Sequence, residues 1–115
     1  MSGLMNNNEK RVYSLLGLCQ KGGYTGSGEF QTEKHVKMGL SCLVIVANDS
    51  SDNTKKKFRN TSDYYKVPYS EFGNKEELGR SIGCEYRACV SVNNKGLADK
   101  IISLIEGMKK NNNCE

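Results

Sequence analysis

Two short apolar runs constrain this chain more than anything else in it: Cys42 to Ala47 (CLVIVA) and Ala88 to Val92 (ACVSV). Each has the length of a strand. The first is apolar at every position, as expected for a strand covered on both faces. The segments around them follow a helical period instead. Val12, Leu15, Leu16 and Cys19 form one inward stripe, which Gly22-Gly23 terminates. A second helix begins near Gly28, with Thr32, His35, Val36 and Gly39 facing inward. A third covers about Asp52 to Ser62, with Thr54, Phe58 and Thr61 inward. Val67-Pro68-Tyr69 reads as a short strand at an edge or at a strand start, because proline cannot donate to a ladder. Asn74 and Glu77 stand at capping-box spacing, opening a helix that carries Leu78 and Ile82 inward and stops at Gly83. Leu97, Ile101, Leu104, Ile105 and Met108 lie on one face of a last amphipathic helix.

The order is helix, helix, strand, helix, strand, helix, strand, helix, with room for a short strand before Gly28. Such alternation predicts a mostly parallel sheet covered on both faces, a three-layer α/β/α sandwich. One domain is expected over residues 9–109. Residues 1–8 and 110–115, which include Asn6-Asn7-Asn8 and Asn111-Asn112-Asn113, read as flexible tails.

A chain of 115 residues fits one core and no second domain. With 37% hydrophobic and 26% charged residues it is not a disordered segment. No apolar run approaches the roughly 20 residues of a membrane span, and the polar N-terminus lacks the apolar core of a signal peptide. Cys19, Cys42, Cys84, Cys89 and Cys114 form no C-x-x-C pair and suit reduced thiols, so a cytoplasmic protein is expected. One histidine and scattered cysteines cannot assemble a zinc site, so no metal or other cofactor is expected. His35 is also the sole histidine available to a Ser-His or Cys-His pair, and it falls on a core stripe. Glu76 and Glu77 point in different directions from one helix. No catalytic constellation stands out, and the chain reads as a binding protein, not an enzyme. Its net charge of +4 allows a polyanionic partner without demanding one. The run Lys55-Lys56-Lys57 with Arg59 reads as a solvated helix face.

The glycine-rich segment Gly22 to Gly28 lacks the Gly-Lys-Ser/Thr of a Walker loop and the spacing of a dinucleotide fingerprint. It suits a helix cap and turn. It also suits a helix start whose unpaired N–H groups attract phosphates or base acceptors, with Gly28 allowing close approach. From that position the segment Gly28-Glu29-Phe30-Gln31-Thr32-Glu33-Lys34 resembles the RNA-binding helix start of the kink-turn-binding ribosomal proteins, the L-seven-Ae and L-thirty-e type, in a G-x-x-Q-T-x-K form seen in small bacterial relatives. Leu43 to Asp49 (LVIVAND) resembles that family's central strand, and Leu78-Gly79-Arg80-Ser81-Ile82-Gly83 its Leu-Gly block. The resemblance runs from about Val12 to Met108.

It implies an L-thirty-e-like sandwich on a mixed four-stranded sheet, binding structured RNA of ribosomal or other noncoding origin, as a monomer that associates with ribosomes. It implies that Gly28, Glu29, Phe30, Gln31, Lys34 and Lys37 on the second helix, with Arg80 and Arg87 around the loop before the last strand, form the RNA-binding set. Lys21 and the loop residues Cys84 and Glu85 are further candidates. Strong RNA binders of the family carry Asn and Glu where Phe30 and Gln31 stand here. Phe30 offers a ring in place of an amide, suited to stacking on a base or to packing on the core. A protein-interaction module on the same fold is the alternative, with Tyr24, Phe30 and Tyr86 as anchors.

Overall fold

The computed structural model describes the backbone of residues 6–113 and the side chains of residues 6–109. Helix α1 (Asn7–Lys21) leads into strand β1 (Thr25–Ser27), α2 (Gly28–Lys37), β2 (Leu43–Val46), α3 (Asp52–Tyr65), β3 (Tyr69–Glu71), α4 (Lys75–Ser81), β4 (Cys89–Val92) and α5 (Lys95–Asn113). The sheet order is β1-β4-β2-β3.

Strand alternation divides the core in two. Leu43 and Ile45 of β2, with Val90 and Val92 of β4, meet Val12, Leu16, Cys19, Leu78, Ile101 and Ile105 from α1, α4 and α5. Val44, Val46 and Cys89 turn to the other face and meet Val36 of α2 and Phe58 of α3. All four β2 positions are fully buried, as a doubly covered strand requires. β3 is an edge strand, and Pro68 just before it lends its carbonyl to the Val44 N–H at 2.9 Å. Side chains cap the starts of α4 and α3: Asn74 Oδ1, at the spacing the sequence indicates, accepts from the Glu77 N–H at 2.8 Å, and Ser51 Oγ accepts from the Thr54 N–H at 3.1 Å.

Three expectations change. The sheet is mixed, as the family resemblance implies, but it is not mostly parallel. Only β2 and β3 run parallel, while β4 lies antiparallel to both β1 and β2. The cause is the β3–β4 connection. Helix α4 has seven residues, and the chain after it doubles back until the Arg87 N–H bonds the carbonyl of Lys75, where α4 began, at 3.1 Å. β4 therefore enters from the edge at which β2 and β3 leave. Gly39 is exposed, not inward, because α2 ends at Lys37 and Gly39 follows its C-cap, Met38. Asn6 caps α1 in a reciprocal box with Glu9, Asn7 and Asn8 lie inside that helix, and α5 runs through Asn111-Asn112-Asn113. The asparagines read as tail are thus partly cap and helix.

Candidate nucleic-acid interface

The register brings one end of every strand to a common edge. Ser27 pairs with Val90, Val46 pairs with Cys89, and Val46 with Glu71. The exits of β1, β2 and β3 and the entry of β4 therefore lie together, and α2, α3 and α4 all start there. Three positive helix ends face one edge, an arrangement that favours anions.

The start of α2 is the most open of the three. Gly28 has φ of +85°, which a side-chain-bearing residue adopts only at a cost. Its N-cap, Ser27, makes no side-chain bond to the helix. Its hydroxyl instead accepts from Arg87 Nε at 3.2 Å, and Arg87 Nη1 donates to the Tyr86 carbonyl at 2.7 Å. The loop cation is thereby fastened beside the uncapped helix end, and the Arg87 side chain packs against the open side of Gly28. Gln31 Oε1 accepts from the Ser27 N–H at 3.1 Å, and the Gln31 amide NH2 has no hydrogen-bond partner among the described residues. Phe30 is 79% exposed and Tyr86 65%, so Phe30 does not fold back onto the core.

The loop carrying Arg87 is held from several sides. A Cβ on Gly79 would collide with the Glu85 carbonyl, so the Leu-Gly block exists to let α4 seat this loop. The Ala88 carbonyl accepts from the Ala47 N–H at 2.8 Å and from Ser50 Oγ at 3.1 Å. Asp49 Oδ1 accepts from the Lys75 N–H at 2.9 Å, tying the β2–α3 loop to the start of α4. Glu29 accepts from Thr54 Oγ1 at 3.1 Å, locking α2 against α3. Ser27, Asp49, Ser50 and Thr54 are the residues that sequence reasoning missed. Only Asp49 carried a signal, as the last residue of the LVIVAND block.

The remaining candidates fall at different distances from this edge. Lys34 lies about 9 Å along α2, exposed and without an ion-pair partner among the described residues. Lys37 is in the last turn and pairs with Glu33 at 2.9 Å. Arg80 pairs with Glu76 at 2.8 Å and Glu77 at 3.2 Å, bordering a shallow groove with Cys84, Glu85 and Tyr86. Lys21 ends α1 just before Thr25, whose partner is Val92, so it belongs to the opposite end of the sheet. His35 is half-buried: its Nδ1 lies 2.9 Å from Asn93 Nδ2 and its ring covers Gly26. Among the described residues no three His, Cys, Asp or Glu side chains are placed to hold a metal ion, and no helix is long and apolar enough to cross a membrane.

Comparison with known proteins agrees with this architecture. The chain is 35% identical to a Bacillus halodurans C protein described as of unknown function, with a TM-score of 0.80 and coverage of 84% of this chain and 97% of that one. The 15.5kD RNA binding protein of Giardia lamblia has the same fold at 19% identity, with a TM-score of 0.72 and coverage of 95% and 94%. The RNA-binding protein YlxQ of Bacillus subtilis (strain 168) is 40% identical over 94 residues, spanning 82% of this chain and 94% of that protein. Its Enterococcus faecium namesake is 36% identical over 100 residues, spanning 87% and 96%. The family model described as ribosomal protein L7Ae/L30e/S12e/Gadd45 matches residues 10–102. With the fold, the sequence blocks and the relatives in agreement, this chain belongs to the ribosomal protein L7Ae/L30e/S12e/Gadd45 family.

Proposed function

We propose that this protein binds structured RNA of the kink-turn class with the edge formed by the start of α2 and the loop before β4. It acts in the cytoplasm as a monomeric, ribosome-associated binding protein without catalytic activity of its own. The observation that carries the reading is the Arg87–Ser27 bond at 3.2 Å, which sets a cation beside an uncapped, glycine-led helix end. The relatives named as RNA-binding proteins support it. The N–H groups of Gly28, Glu29 and Phe30 and the free amide of Gln31 supply donors for base edges. Arg87 and Lys34 supply charge for phosphates, and Arg80 joins them where RNA displaces its glutamates. Phosphate contacts then set affinity and base contacts set register.

Filter binding with a kink-turn RNA, and with one lacking its tandem G·A pairs, tests the reading. The intact RNA should bind about tenfold or more tightly, in proportion to one good base contact, and affinity should fall steeply with salt. Lys34→Glu with Arg87→Glu should abolish binding to both. Equal affinity for the two RNAs would end the kink-turn assignment, and a flat salt response would end the backbone one. The exposure of Phe30 and Tyr86 favours a second reading, in which they anchor a protein partner. Unchanged RNA association of the Lys34→Glu, Arg87→Glu protein, with loss of a protein partner, would select it.

A further inference from the structure

The lysine run of α3 does not stand apart from the candidate edge. Glu33 of α2 accepts from Lys37 at 2.9 Å and from Lys57 of α3 at 3.1 Å, so a single carboxylate stitches the two helices together along their outer surface. The Thr54–Glu29 bond does the same one turn nearer the edge. Phe58 and Ser62 point α3 inward, which turns Lys56 to solvent and puts Lys57 on the seam with α2. On α2 the buried residues are Thr32 and Val36, which turns Lys34 and Lys37 outward beside them. Lys34, Lys37, Lys56 and Lys57 are all exposed, so four cations lie on the outer surface of the two helices, with Glu33 between Lys37 and Lys57. This face starts at Gly28 and continues away from the edge for about 14 Å, the length of α2 beyond it.

We propose that this α2–α3 ridge is a second, sequence-independent contact surface for the sugar-phosphate backbone of an RNA stem that continues past the Gly28 edge. The inference rests on the RNA-binding reading above and extends it to a longer ligand. A ridge of this length meets several successive phosphates of one strand, given a spacing of about 3.4 Å per strand along a duplex axis. One phosphate bound at the helix end would need none of Lys37, Lys56 or Lys57. On binding, Lys37 and Lys57 exchange the Glu33 carboxylate for phosphate oxygens, and Lys56, which has no ion-pair partner among the described residues, contributes without such an exchange. Asp63 stands two turns beyond Lys56 on the same face and sets the end of the ridge.

The test uses the full chain and one kink-turn RNA core carrying flanking stems of either roughly 3 or roughly 12 base pairs, lengths chosen to fall short of or to overrun the ~14 Å ridge. Affinity is measured by filter binding across a salt series. The wild type should show a steeper dependence of log K on log salt with the long stems. Lys56→Gln with Lys57→Gln should lower that slope by about 2, one per lost phosphate contact, and leave short-stem affinity within about twofold. Glu33→Gln should tighten long-stem binding severalfold by removing the competing carboxylate. Lys56→Gln alone breaks no ion pair among the described residues, so its slope change of about 1 is read on an undisturbed fold. Equal slopes for wild type and Lys56→Gln/Lys57→Gln on the long-stem RNA would overturn the ridge while leaving the Gly28 edge intact. A wild type that binds neither RNA would overturn both.

Discussion

At the scale of single residues, Gly28 concentrates what the candidate edge requires. Its φ of +85° belongs to the region that costs an L side chain about 1–2 kcal/mol. The space around it is open except for Arg87, so the cost of substitution there is conformational, not steric. Gly28→Ala should therefore lower unfolding free energy by about 1–2 kcal/mol. It should also weaken RNA binding beyond what the stability loss accounts for, since relaxing φ swings the Ser27 hydroxyl away from Arg87. Thermal melts paired with filter binding check both; unchanged stability and affinity together would remove the special role of Gly28. The sequence indicates Gly28, Gln31 and Lys34 because they sit in one contiguous stretch, with spacing that a reader can match. Ser27, Asp49, Ser50 and Thr54 are not indicated, since each works through a partner from 20 or more residues away in the chain. Apart from Asp49, which ends the LVIVAND block, nothing local distinguishes them from other surface Ser and Thr residues.

At the scale of elements, helical and strand periods report which face of a segment is buried but not which way it runs. The sequence therefore yields all five helices and the β2, β3 and β4 positions, yet misjudges the direction of β4. That direction depends on a tertiary contact, the seating of the Glu85–Arg87 loop on α4 at Gly79. Removing the space there tests whether the loop is held as described. Gly79→Ala puts a methyl group into the Glu85 carbonyl, and overpacking of this kind costs about 1–3 kcal/mol. The displacement should reach Arg87 and the Ala88 carbonyl, and leave the His35–Asn93 pair at the other end of the sheet unmoved. Amide chemical shifts in a two-dimensional NMR spectrum separate the outcomes. Shifts confined to α4, residues 84–88 and the start of α2 support the seating, whereas shifts spread evenly through the protein refute it. The asparagine runs teach a related lesson. Asn6 is polar in composition but serves as a cap, because a helix end needs a side-chain acceptor wherever the first turn begins.

At the scale of the whole molecule, both core halves carry a buried thiol, Cys19 on the α1 side and Cys89 on the α2 side. Burial pushes each thiol up to about 11. A group whose folded pKa is raised stabilises the fold fully below its unfolded pKa, about 8.5, and that contribution disappears as pH rises toward the folded value. Between pH 8.5 and 10.5 each thiol removes about 2–3 kcal/mol, at roughly 1.4 kcal/mol per unit. Tyr13 and Tyr69 are also pushed up by burial, so they add a loss at the upper end of this window that the wild type and the cysteine variant share. Urea midpoints should therefore fall steeply between pH 8.5 and 10.5 in the wild type, and much less steeply in Cys19→Ala/Cys89→Ala, once each is referred to its own value at pH 7.5. Equal slopes would mean that the two thiols titrate alike in folded and unfolded chains, contrary to their burial. Cys89 adds a functional consequence. It opens β4 directly behind the Ala88 carbonyl that Ser50 and Ala47 hold, and it packs beneath Val36 and Phe58. A thiolate there would need water or a cation to enter between the sheet and α2, loosening the helix whose start forms the candidate edge. Tryptic cleavage at Lys34 and Lys37 should thus quicken above pH 8.5 as stability falls, and less so in Cys89→Ala than in Cys19→Ala; equal rates in the two variants would count against the coupling.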